Sequence, residues 1–218
     1  MLKIRDLFDL GHTLAGEYLA SYDYPWEVLP LIRDMILALG TKLGPDYIQT
    51  GEEIWVHETA VIASTAHLQG PCIIGAHTQV RHCAFLRGSV LAGDGCVVGN
   101  STEVKNSILF DGVQIPHFNY VGDSILGFKA HLGAGAVTSN IRSDRSPVNI
   151  HAPWGDIPTG LNKLGAMVGD FAEVGCGSVL NPGTVVGRNT TIYPLCCVRG
   201  TVPENSIYKS AGVVIERR

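Results

Sequence analysis

The 218-residue sequence predicts an all-β chain wound into a parallel β-helix, and three observations support that prediction. Aliphatic residues recur every six positions over two long stretches. A small or β-branched residue follows most of them four positions later. The composition combines 26 glycines with only 17% charged residues, whereas a helical bundle would be dominated by Ala, Glu, Lys and Leu. A period of six is neither helical nor a simple strand alternation, so it indicates short strands separated by tight corners.

Two frames of aliphatic residues define the repeat. We expect one aliphatic side chain per strand to point into the β-helix, with small residues at the corners, so that successive coils stack as parallel strands. The members of the two frames are Val56, Ile62, Leu68, Ile74, Val80, Leu86, Ala92, Val98, Val104 and Phe110, followed by Val168, Val174, Leu180, Val186, Ile192 and Val198.

Residues 1–52 do not repeat and predict a helical segment. Pro25 and Pro30 stand near the start of an amphipathic stretch, and Gly40 is a stop signal. Its apolar face consists of Leu29, Ile32, Ile36 and Leu39. Because the end of a β-helix exposes unpaired strand edges, we expect this segment to cover the N-terminal end of the β-helix or to brace a neighbouring chain.

The remaining chain divides into a β-helix over 53–203 and a C-terminal tail over 204–218. Within the β-helix, the stretch 139–164 interrupts the repeat with three prolines and two glycines, which predicts a long loop. Long loops in compact domains are often functional.

Composition and charge exclude several partners. The formal net charge is −4 and no block of Lys or Arg occurs, so we expect no nucleic-acid binding. No apolar run is long enough for a membrane span, and the acidic residues within "MLKIRDLFDLGH" do not fit a secretory signal. The six cysteines form no CxxC pair; we interpret Cys72, Cys96 and Cys196 as small buried thiols in a reducing cytoplasm.

Two cations predict an anion site. Arg87 and Lys105 are 18 residues apart and each follows an inward residue, so both should project from one outer face, one above the other. Stacked strands lie about 4.8 Å apart, where like charges repel unless an anion lies between them. A phosphate site is one interpretation, since Arg offers a fork of donors and Lys a point charge; a solvated charged face is the other.

The repeat breaks around "QIPHFNYVGDS", residues 114–124. The spacing drops to five between Phe110 and Ile115, and a dropped residue re-aims the side chains around it. His117 and Tyr120 lie in this stretch, shortly after Glu103 and the two cations. A histidine in such company is a candidate general base, because its ordinary pKa lies near neutrality.

The residues also carry a family resemblance. The period of six is similar to that of the hexapeptide-repeat family, whose left-handed parallel β-helices have a triangular section with three hexads per coil. "LRGS…TEVKNS…IPHFNYVGDSILGFKAHLGAGAVTSN" resembles the glucosamine-1-phosphate N-acetyltransferase domain of the bifunctional enzyme that makes UDP-N-acetylglucosamine. "YPWEVL" and "TGLNKLGAMVGDFAEVGCGSVLNPGTVVG" resemble related sugar-1-phosphate nucleotidyltransferases with a C-terminal β-helix. The resemblance covers roughly residues 20–205, without the nucleotidyltransferase domain.

The resemblance implies a role for each matching residue. His117 matches the base that deprotonates the attacking amine, and Glu103 matches an acid that supports the base. Asn140 matches the residue that positions the acetyl donor. The positions that hold the sugar phosphate are Arg87, Lys105, Tyr120 and Lys163, and those near the coenzyme are Cys176 and Pro194.

The same resemblance implies acetyl-CoA as co-substrate, an amino-sugar 1-phosphate as acceptor in nucleotide-sugar biosynthesis, a homotrimer, and acetyl transfer without a metal. Three departures affect these expectations, and one of them is that the 139–164 loop is much longer than in the family. His131 replaces an asparagine that contacts the amino sugar, and Ile141 replaces a tyrosine of the acetyl pocket.

Two alternatives of other classes stay open. A sugar-phosphate sensor or scaffold that has lost catalysis is favoured by His131 and Ile141. A zinc-dependent trimer resembling the hexapeptide-repeat carbonic anhydrases is suggested by His77 and His82, although a third histidine two coils upstream would fall near Thr41.

Overall fold

The computed structural model describes residues 2–210 and 213–217, and it shows short N-terminal helices followed by a β-helix. The helices are α1 (Ile4–Leu7), α2 (Gly16–Leu19) and α3 (Ile32–Gly40), with 3-10 helices at Leu10–His12 and Pro25–Leu31. The strands are β1 (Tyr47–Gly51), β2 (Ile54–His57), β3 (Val61–Ile62), β4 (His67–Gln69), β5 (Cys72–Ile74), β6 (Gln79–Val80), β7 (Phe85–Arg87), β8 (Val90–Ala92), β9 (Val97–Asn100), β10 (Glu103–Leu109), β11 (Gln114–His117), β12 (Tyr120–Leu126), β13 (His131–Leu132), β14 (Val137–Thr138), β15 (Asn149–Ala152), β16 (Gly155–Pro158), β17 (Ala166–Val168), β18 (Glu173–Val174), β19 (Val179–Leu180), β20 (Thr184–Val186), β21 (Thr191–Ile192), β22 (Cys197–Val198), β23 (Thr201–Val202), β24 (Ser206–Ser210) and β25 (Val213–Glu216).

Parallel stacking of these strands confirms the predicted left-handed β-helix of hexapeptide repeats. In the first coils, paired residues are 18 positions apart, as with Ile54 opposite Cys72 and Cys72 opposite Val90. We name the three faces by their surroundings. The covered face contains β2, β5, β8, the second halves of β10 and β12, β17, β20 and β23. The polar face contains β4, β7, the first halves of β10 and β12, β14, β19 and β22. The third face contains β3, β6, β9, β11, β13, β18, β21 and β24.

The break in the repeat arises at one corner. Upstream of this corner Val104 pairs with Leu86, 18 positions away, but downstream Ser107 pairs with Val90, 17 positions away. Asn106, with a φ of 44°, forms this corner alone, whereas two residues form the equivalent corner of the preceding coil. The inward residue that follows is therefore Leu109, which pairs with Ala92, so the assignment of Phe110 to the inward frame was wrong.

The N-terminal segment lies along a side face of the β-helix, which differs from the expected cover of its end. Helix α3 packs against β5, β8 and β10, and the 3-10 helix Pro25–Leu31 packs against β12. At Gly40 a Cβ would lie 2.6 Å from the Trp55 ring, so glycine permits this close approach. The predicted helix begins only at Ile32, because Pro30 lacks the N–H that an α-helix requires.

A buried carboxylate fixes the start of this segment to distant coils. Asp170 accepts hydrogen bonds from the backbone N–H of Asp9 (2.7 Å) and of Phe128 (2.8 Å), and from Arg188 Nη2 (2.6 Å). Arg188 Nε also donates to the carbonyl of Leu7 at 3.2 Å. Because Asp170 is only 1% exposed, these partners compensate a charge that would otherwise be costly to bury.

The predicted loop is an ordered insertion in a single coil. Across it, paired residues such as His131 and Glu173 are 42 positions apart, yet the coils remain in register. The backbone N–H of Leu164 donates to the carbonyl of Asn140 (3.0 Å) and closes the neck of the insertion. Strands β15 and β16 form an antiparallel hairpin, and Ile150 is fully buried against the β-helix.

The predicted C-terminal tail contains structure. Strand β24 adds another parallel rung, with Ile207 opposite Thr191, and β25 pairs with β24 in antiparallel fashion. The tail residues 211, 212 and 218 lie outside the described residues. Among the helices described, none combines the length and the apolar character needed to cross a bilayer.

Candidate functional site

One outward-facing column of the polar face carries the predicted phosphate ligands. Its registers place Lys105 opposite Gly122, and the parallel pairing continues this row through successive coils. The members, in order along the helix axis, are Arg87, Lys105, Gly122, Ser139, Asn181 and Arg199. Arg87 and Lys105 therefore project from one face, as the sequence predicted.

Each of the two cations has a carboxylate partner. Arg87 Nη1 lies 2.6 Å from Glu103 Oε1, and Lys105 Nζ lies 3.3 Å from Asp123 Oδ2. Partial neutralisation by these acids reduces the repulsion that the 18-residue spacing implied. The structure thus brings Glu103 to Arg87 rather than to His117, the side chain that Glu103 was expected to support.

Asp123 is the centre of a hydrogen-bonded cluster that the sequence interpretation missed. Its carboxylate accepts from Lys105 Nζ, from Asn106 Nδ2 (2.9 Å) and from Asn140 Nδ2 (2.5 Å). Only 6% of the Asp123 side chain is exposed. A buried carboxylate with three polar partners is held in a single orientation, so it fixes the side chains that bind it. We call Lys105, Tyr120, Asp123 and Asn140 the Asp123 cluster.

Tyr120 completes this cluster. Its hydroxyl accepts a hydrogen bond from Asn140 Nδ2 at 3.2 Å. Burial, reinforced by the negative charge of Asp123, raises the pKa of Tyr120, so the phenol stays protonated and can donate to a ligand. At Gly122 a Cβ would lie 2.6 Å from the Tyr120 hydroxyl, so glycine leaves room for the tyrosine side chain in this position.

His117 lies at the corner between the third face and the polar face. Its backbone N–H donates to Asn119 Oδ1 at 3.1 Å, and this hydrogen bond stabilises the backbone of the corner. The side chain of His117 is exposed. Neither ring nitrogen has a hydrogen-bond partner among the residues described. The imidazole is therefore available to accept a proton from a ligand at this corner.

The predicted coenzyme-adjacent residues lie in the same row as His117. Gly135 N–H donates to the carbonyl of His117, Gly177 N–H to that of Ala134, and Leu195 N–H to that of Cys176. These bonds between successive rungs produce the row His117, Ala134, Cys176 and Pro194. Cys176 and Pro194 are exposed, so the candidate base and the candidate coenzyme positions share one edge of the β-helix.

Two other predicted residues lie apart from the Asp123 cluster. His131 is on the third face, where its Nδ1 lies 2.7 Å from Glu173 Oε2. Lys163 is exposed beside the neck of the insertion, immediately before Leu164, which contacts Asn140. Lys163 is thus adjacent to the cluster, whereas His131 faces a different side of the same chain.

His77 and His82, the histidines behind the metal alternative, belong to no group of three potential ligands within the described part of a single chain. Within residues 2–210 and 213–217, no three His, Cys, Asp or Glu side chains are grouped as metal ligands. His82 Nδ1 instead lies 2.8 Å from Thr65 Oγ1, and the backbone of His77 donates to Thr59 Oγ1.

Sequence comparison finds relatives that align with nearly the whole chain. Residues 50–150 match the family model described as the GMPPB C-terminal domain. The bifunctional protein GlmU of Methanococcus maripaludis strain C5 is 32% identical over 224 residues, covering 99% of this chain and 54% of the relative. A protein of Escherichia coli strain K12 named as an uncharacterized acetyltransferase, YaiX, is 31% identical over 221 residues, covering 90% of this chain and 91% of the relative.

The chain spans about half the length of the bifunctional relatives that it matches. A bifunctional sugar-1-phosphate nucleotidylyltransferase/acetyltransferase of Sulfurisphaera tokodaii is 29% identical over 189 residues, which cover 85% of this chain and 47% of that protein.

Solved structures give weaker matches. The polySia-specific acetyltransferase NeuO matches 72% of this chain and 80% of its own, at 12% identity and a TM-score of 0.46. The acetyltransferase domain of PglB from Neisseria gonorrhoeae, solved in complex with acetyl coenzyme A, matches 75% of this chain and 57% of its own, at 14% identity and a TM-score of 0.36.

Proposed function

Because the chain belongs to the hexapeptide-repeat acyltransferases, we propose that it transfers an acetyl group from acetyl-CoA to the amine of an amino-sugar 1-phosphate. The observation that carries this proposal is the Asp123 cluster. Through one buried carboxylate it joins Lys105, a candidate phosphate ligand, to Asn140, a candidate ligand of the acetyl donor. A site that holds both substrates in a fixed relation lowers the entropic cost of bringing them together.

The chemistry needs one general base. The amine nitrogen attacks the thioester carbonyl carbon while His117 accepts a proton from the amine, and the resulting oxyanion collapses with cleavage of the C–S bond. The CoA thiolate leaves and takes up a proton, so the products are an N-acetyl sugar and free CoA. The unpaired ring of His117 suits this task, since such a base typically contributes about 10²–10⁴ in rate.

Arg87 and Lys105 would bind the sugar phosphate. Arg87 uses one nitrogen on Glu103 and keeps further N–H donors for a phosphate oxygen, while Lys105 adds a second charge-assisted donor. In this proposal Glu103 orients Arg87, which revises its expected role beside His117. Tyr120 contributes its hydroxyl and Lys163 closes the site from the insertion.

A homotrimer would complete the site. The third face carries His131 away from the Asp123 cluster of its own chain, so His131 contacts an amino sugar bound there only if a second copy supplies it. We propose this arrangement on the family resemblance and on the separation of the two faces. Light scattering should give a trimer, and a monomer at assay concentrations would rule out a site shared between copies.

The direct test is release of free CoA from acetyl-CoA across a panel of amino-sugar 1-phosphates. We expect turnover with at least one member and loss of turnover in His117→Ala. A protein that binds sugar phosphates by calorimetry but releases no CoA with any member would instead be the sensor or scaffold that His131 and Ile141 suggest. Zinc stoichiometry of the purified protein tests the carbonic-anhydrase alternative.

A further inference from the structure

A second outward-facing row runs along the polar face beside the column of Arg87 and Lys105. In β7 the middle residue, Leu86, is fully buried, so Phe85 and Arg87 on either side of it both point out of this face. Strand register extends the row from Phe85 to the neighbouring coils, and its members, which we call the flanking row, are His67, Phe85, Glu103 and Tyr120. Neither the family resemblance nor the proposed acetyl transfer assigns a role to Phe85.

The Arg87 guanidinium contacts two members of the flanking row. Its carbon Cζ lies 5.9 Å from the centroid of the Phe85 ring, within reach of a cation–π interaction. Its Nη1 lies 2.6 Å from Glu103 Oε1. Because Phe85 and Glu103 are neighbours on adjacent rungs, the ring and the carboxylate hold the same guanidinium together.

The ring of Phe85 has supports of its own. The His67 ring lies on the preceding rung, with its centroid 5.4 Å from that of Phe85 and the two planes inclined by 49°, and tilted aromatic pairs of this kind are favourable. The backbone N–H of Phe85 donates to the carbonyl of Thr102 at 2.9 Å, which ties the strand to the next coil. The side chain is half-buried, so it occupies a defined position from which it can restrict Arg87.

The two cations of the column are held to different extents. Lys105 pairs with Asp123, whose side chain is 6% exposed and is fixed by further hydrogen bonds. Arg87 is 46% exposed, and its partner Glu103 is 33% exposed. An exposed ion pair and an exposed cation–π contact stabilise by similar, small amounts. Arg87 therefore depends on Phe85 about as much as it depends on Glu103.

The position of Arg87 matters because most of its donors are free. A guanidinium has five N–H groups, and Glu103 is the sole hydrogen-bond acceptor of Arg87 within the described parts of the chain. The remaining donors can bind a phosphate oxygen. A long arginine side chain loses rotamer freedom when it binds a ligand, so a guanidinium that is ordered beforehand binds phosphate more tightly.

We propose that Phe85 is a positioning residue for phosphate recognition, which acts by holding the Arg87 guanidinium ready beside Lys105. In this role the ring contacts Arg87 and not the reacting atoms, so its effect is on binding and not on the acetyl-transfer step. The proposal deepens the proposed function and rests on it for the sugar phosphate as ligand, but phosphate binding can be measured without turnover.

Isothermal titration calorimetry with glucosamine 1-phosphate and with inorganic phosphate tests this role. We expect Phe85→Leu, which removes the ring but keeps an apolar side chain, to weaken binding of both probes by about two- to fivefold. Phe85→Trp should retain binding, because an indole also attracts a cation. In turnover assays the KM for the sugar phosphate should rise by the same factor in Phe85→Leu, at constant kcat and constant KM for acetyl-CoA. The matched control is Phe171→Leu, at a phenylalanine that is 45% exposed and has no cation over its ring among the described residues; it should bind like the wild type.

A double-mutant cycle separates positioning from direct contact with the ligand. In an Arg87→Ala background, Phe85→Leu should cause no further loss of binding, because the ring acts only through the guanidinium. The role is refuted if Phe85→Leu binds both probes like the wild type, if its loss is equally large in the Arg87→Ala background, or if Phe85→Trp or Phe171→Leu is impaired to the same extent. It is also refuted if the wild type binds neither probe at about 10 mM. Phe85-dependent binding by a protein that releases no CoA keeps the positioning role and refutes the proposed acetyl transfer, whereas turnover with a KM independent of Phe85 does the reverse.

Discussion

The covered face and the polar face share the same stacked backbone but differ in the residues that point outward. On the covered face the outward row is apolar and fully buried: Ile73, Leu91, Ile108, Ile125, Met167 and Val185. The N-terminal helices pack against the strands of its first four members, and the hairpin of the insertion packs against the strand of Val185. On the polar face the equivalent row is Arg87, Lys105, Gly122, Ser139, Asn181 and Arg199. The inward rows are aliphatic on both faces apart from the buried Thr138 of the polar face, so the repeat itself does not distinguish them. What differs is what lies outside each wall: helices and a hairpin of the same chain over one, and candidate ligand space over the other.

The largest effect on activity should come from a substitution of His117, at the corner beside the polar face. Replacing His117 with Ala should lower kcat by about 10²–10⁴, since the amine would lose its base, and should leave the Kd of both substrates nearly unchanged. His82 occupies the same corner two coils earlier, so His82→Ala is the matched control and should retain full kcat. If His131→Ala abolishes turnover and His117→Ala does not, the base has been assigned to the wrong histidine.

On the covered face the effect should be on stability alone. Ile108→Ala should reduce the free energy of unfolding by about 2–5 kcal/mol, because it leaves a cavity between the β-helix and α3. Val61, an aliphatic strand residue that is 64% exposed, gives the control: Val61→Ala should change stability by less than about 1 kcal/mol. Equal losses in chemical denaturation would mean that the N-terminal helices do not seal this face.

Asp123 tests whether the polar face is organised by one carboxylate. Asp123→Asn keeps the volume but removes the charge that holds Lys105 and Asn140, so the KM for the sugar phosphate should rise about tenfold. The free energy of unfolding should fall by about 1–3 kcal/mol, because one of the two acceptor oxygens is replaced by an amide N–H that faces the donors of the cluster. The exposed Asp34 of α3 supplies the control, and Asp34→Asn should alter neither quantity. An unchanged KM in Asp123→Asn would show that the cluster has no part in binding.

A substitution of Glu103 tests whether this residue orients Arg87 or supports His117, and the expected change in KM is smaller. If it orients Arg87, Glu103→Gln should raise the KM for the sugar phosphate by less than about fivefold, since exposed ion pairs contribute at most about 1 kcal/mol, and should leave kcat unchanged. A fall in kcat with constant KM would restore the expected role of Glu103 as the acid that supports His117.

The cysteines should show the smallest effect, on chemical reactivity. Cys83, Cys176 and Cys197 are exposed, while Cys72, Cys96 and Cys196 are buried as predicted from the repeat. Burial raises the pKa of the Cys72 and Cys96 thiols to about 12. A thiol-specific reagent at neutral pH should therefore modify three thiols quickly and the rest only on unfolding.

The same burial predicts a loss of stability at alkaline pH. The folded-state pKa of Cys96 exceeds its unfolded value of about 9, so the folded protein holds the thiol proton more tightly. This contribution is complete below pH 9 and is lost as the pH rises from about 9 towards 12. In Cys96→Ala the decline of Tm over this range should be shallower than in the wild type; an identical decline would contradict the prediction.

The sequence predicted the inward rows well because a period of six repeats them at every coil. It placed the slip one repeat too late, between Phe110 and Ile115 instead of between Val104 and Leu109, because Leu109 and Phe110 are both buried and only strand register shows which of them points inward. The sequence predicted that the N-terminal helices cover an end of the β-helix, because the outward apolar row can be recognised only after the coils are stacked. Asp123 was missed for a related reason: its partners lie 17 or 18 positions away and meet it only through that stacking.

The contacts that fix the N-terminal segment to Asp170 and Arg188 have a consequence for the order of events during protein synthesis. Leu7 and Arg188, which contact each other in the folded chain, are separated by 181 positions. At about 5–20 residues per second, a ribosome needs roughly 9–36 s to make that intervening chain. The first helices therefore emerge long before the wall that holds them is complete. Chaperones that recognise exposed apolar segments should bind this N-terminal stretch early in translation and release it once the coil that contains Arg188 has formed.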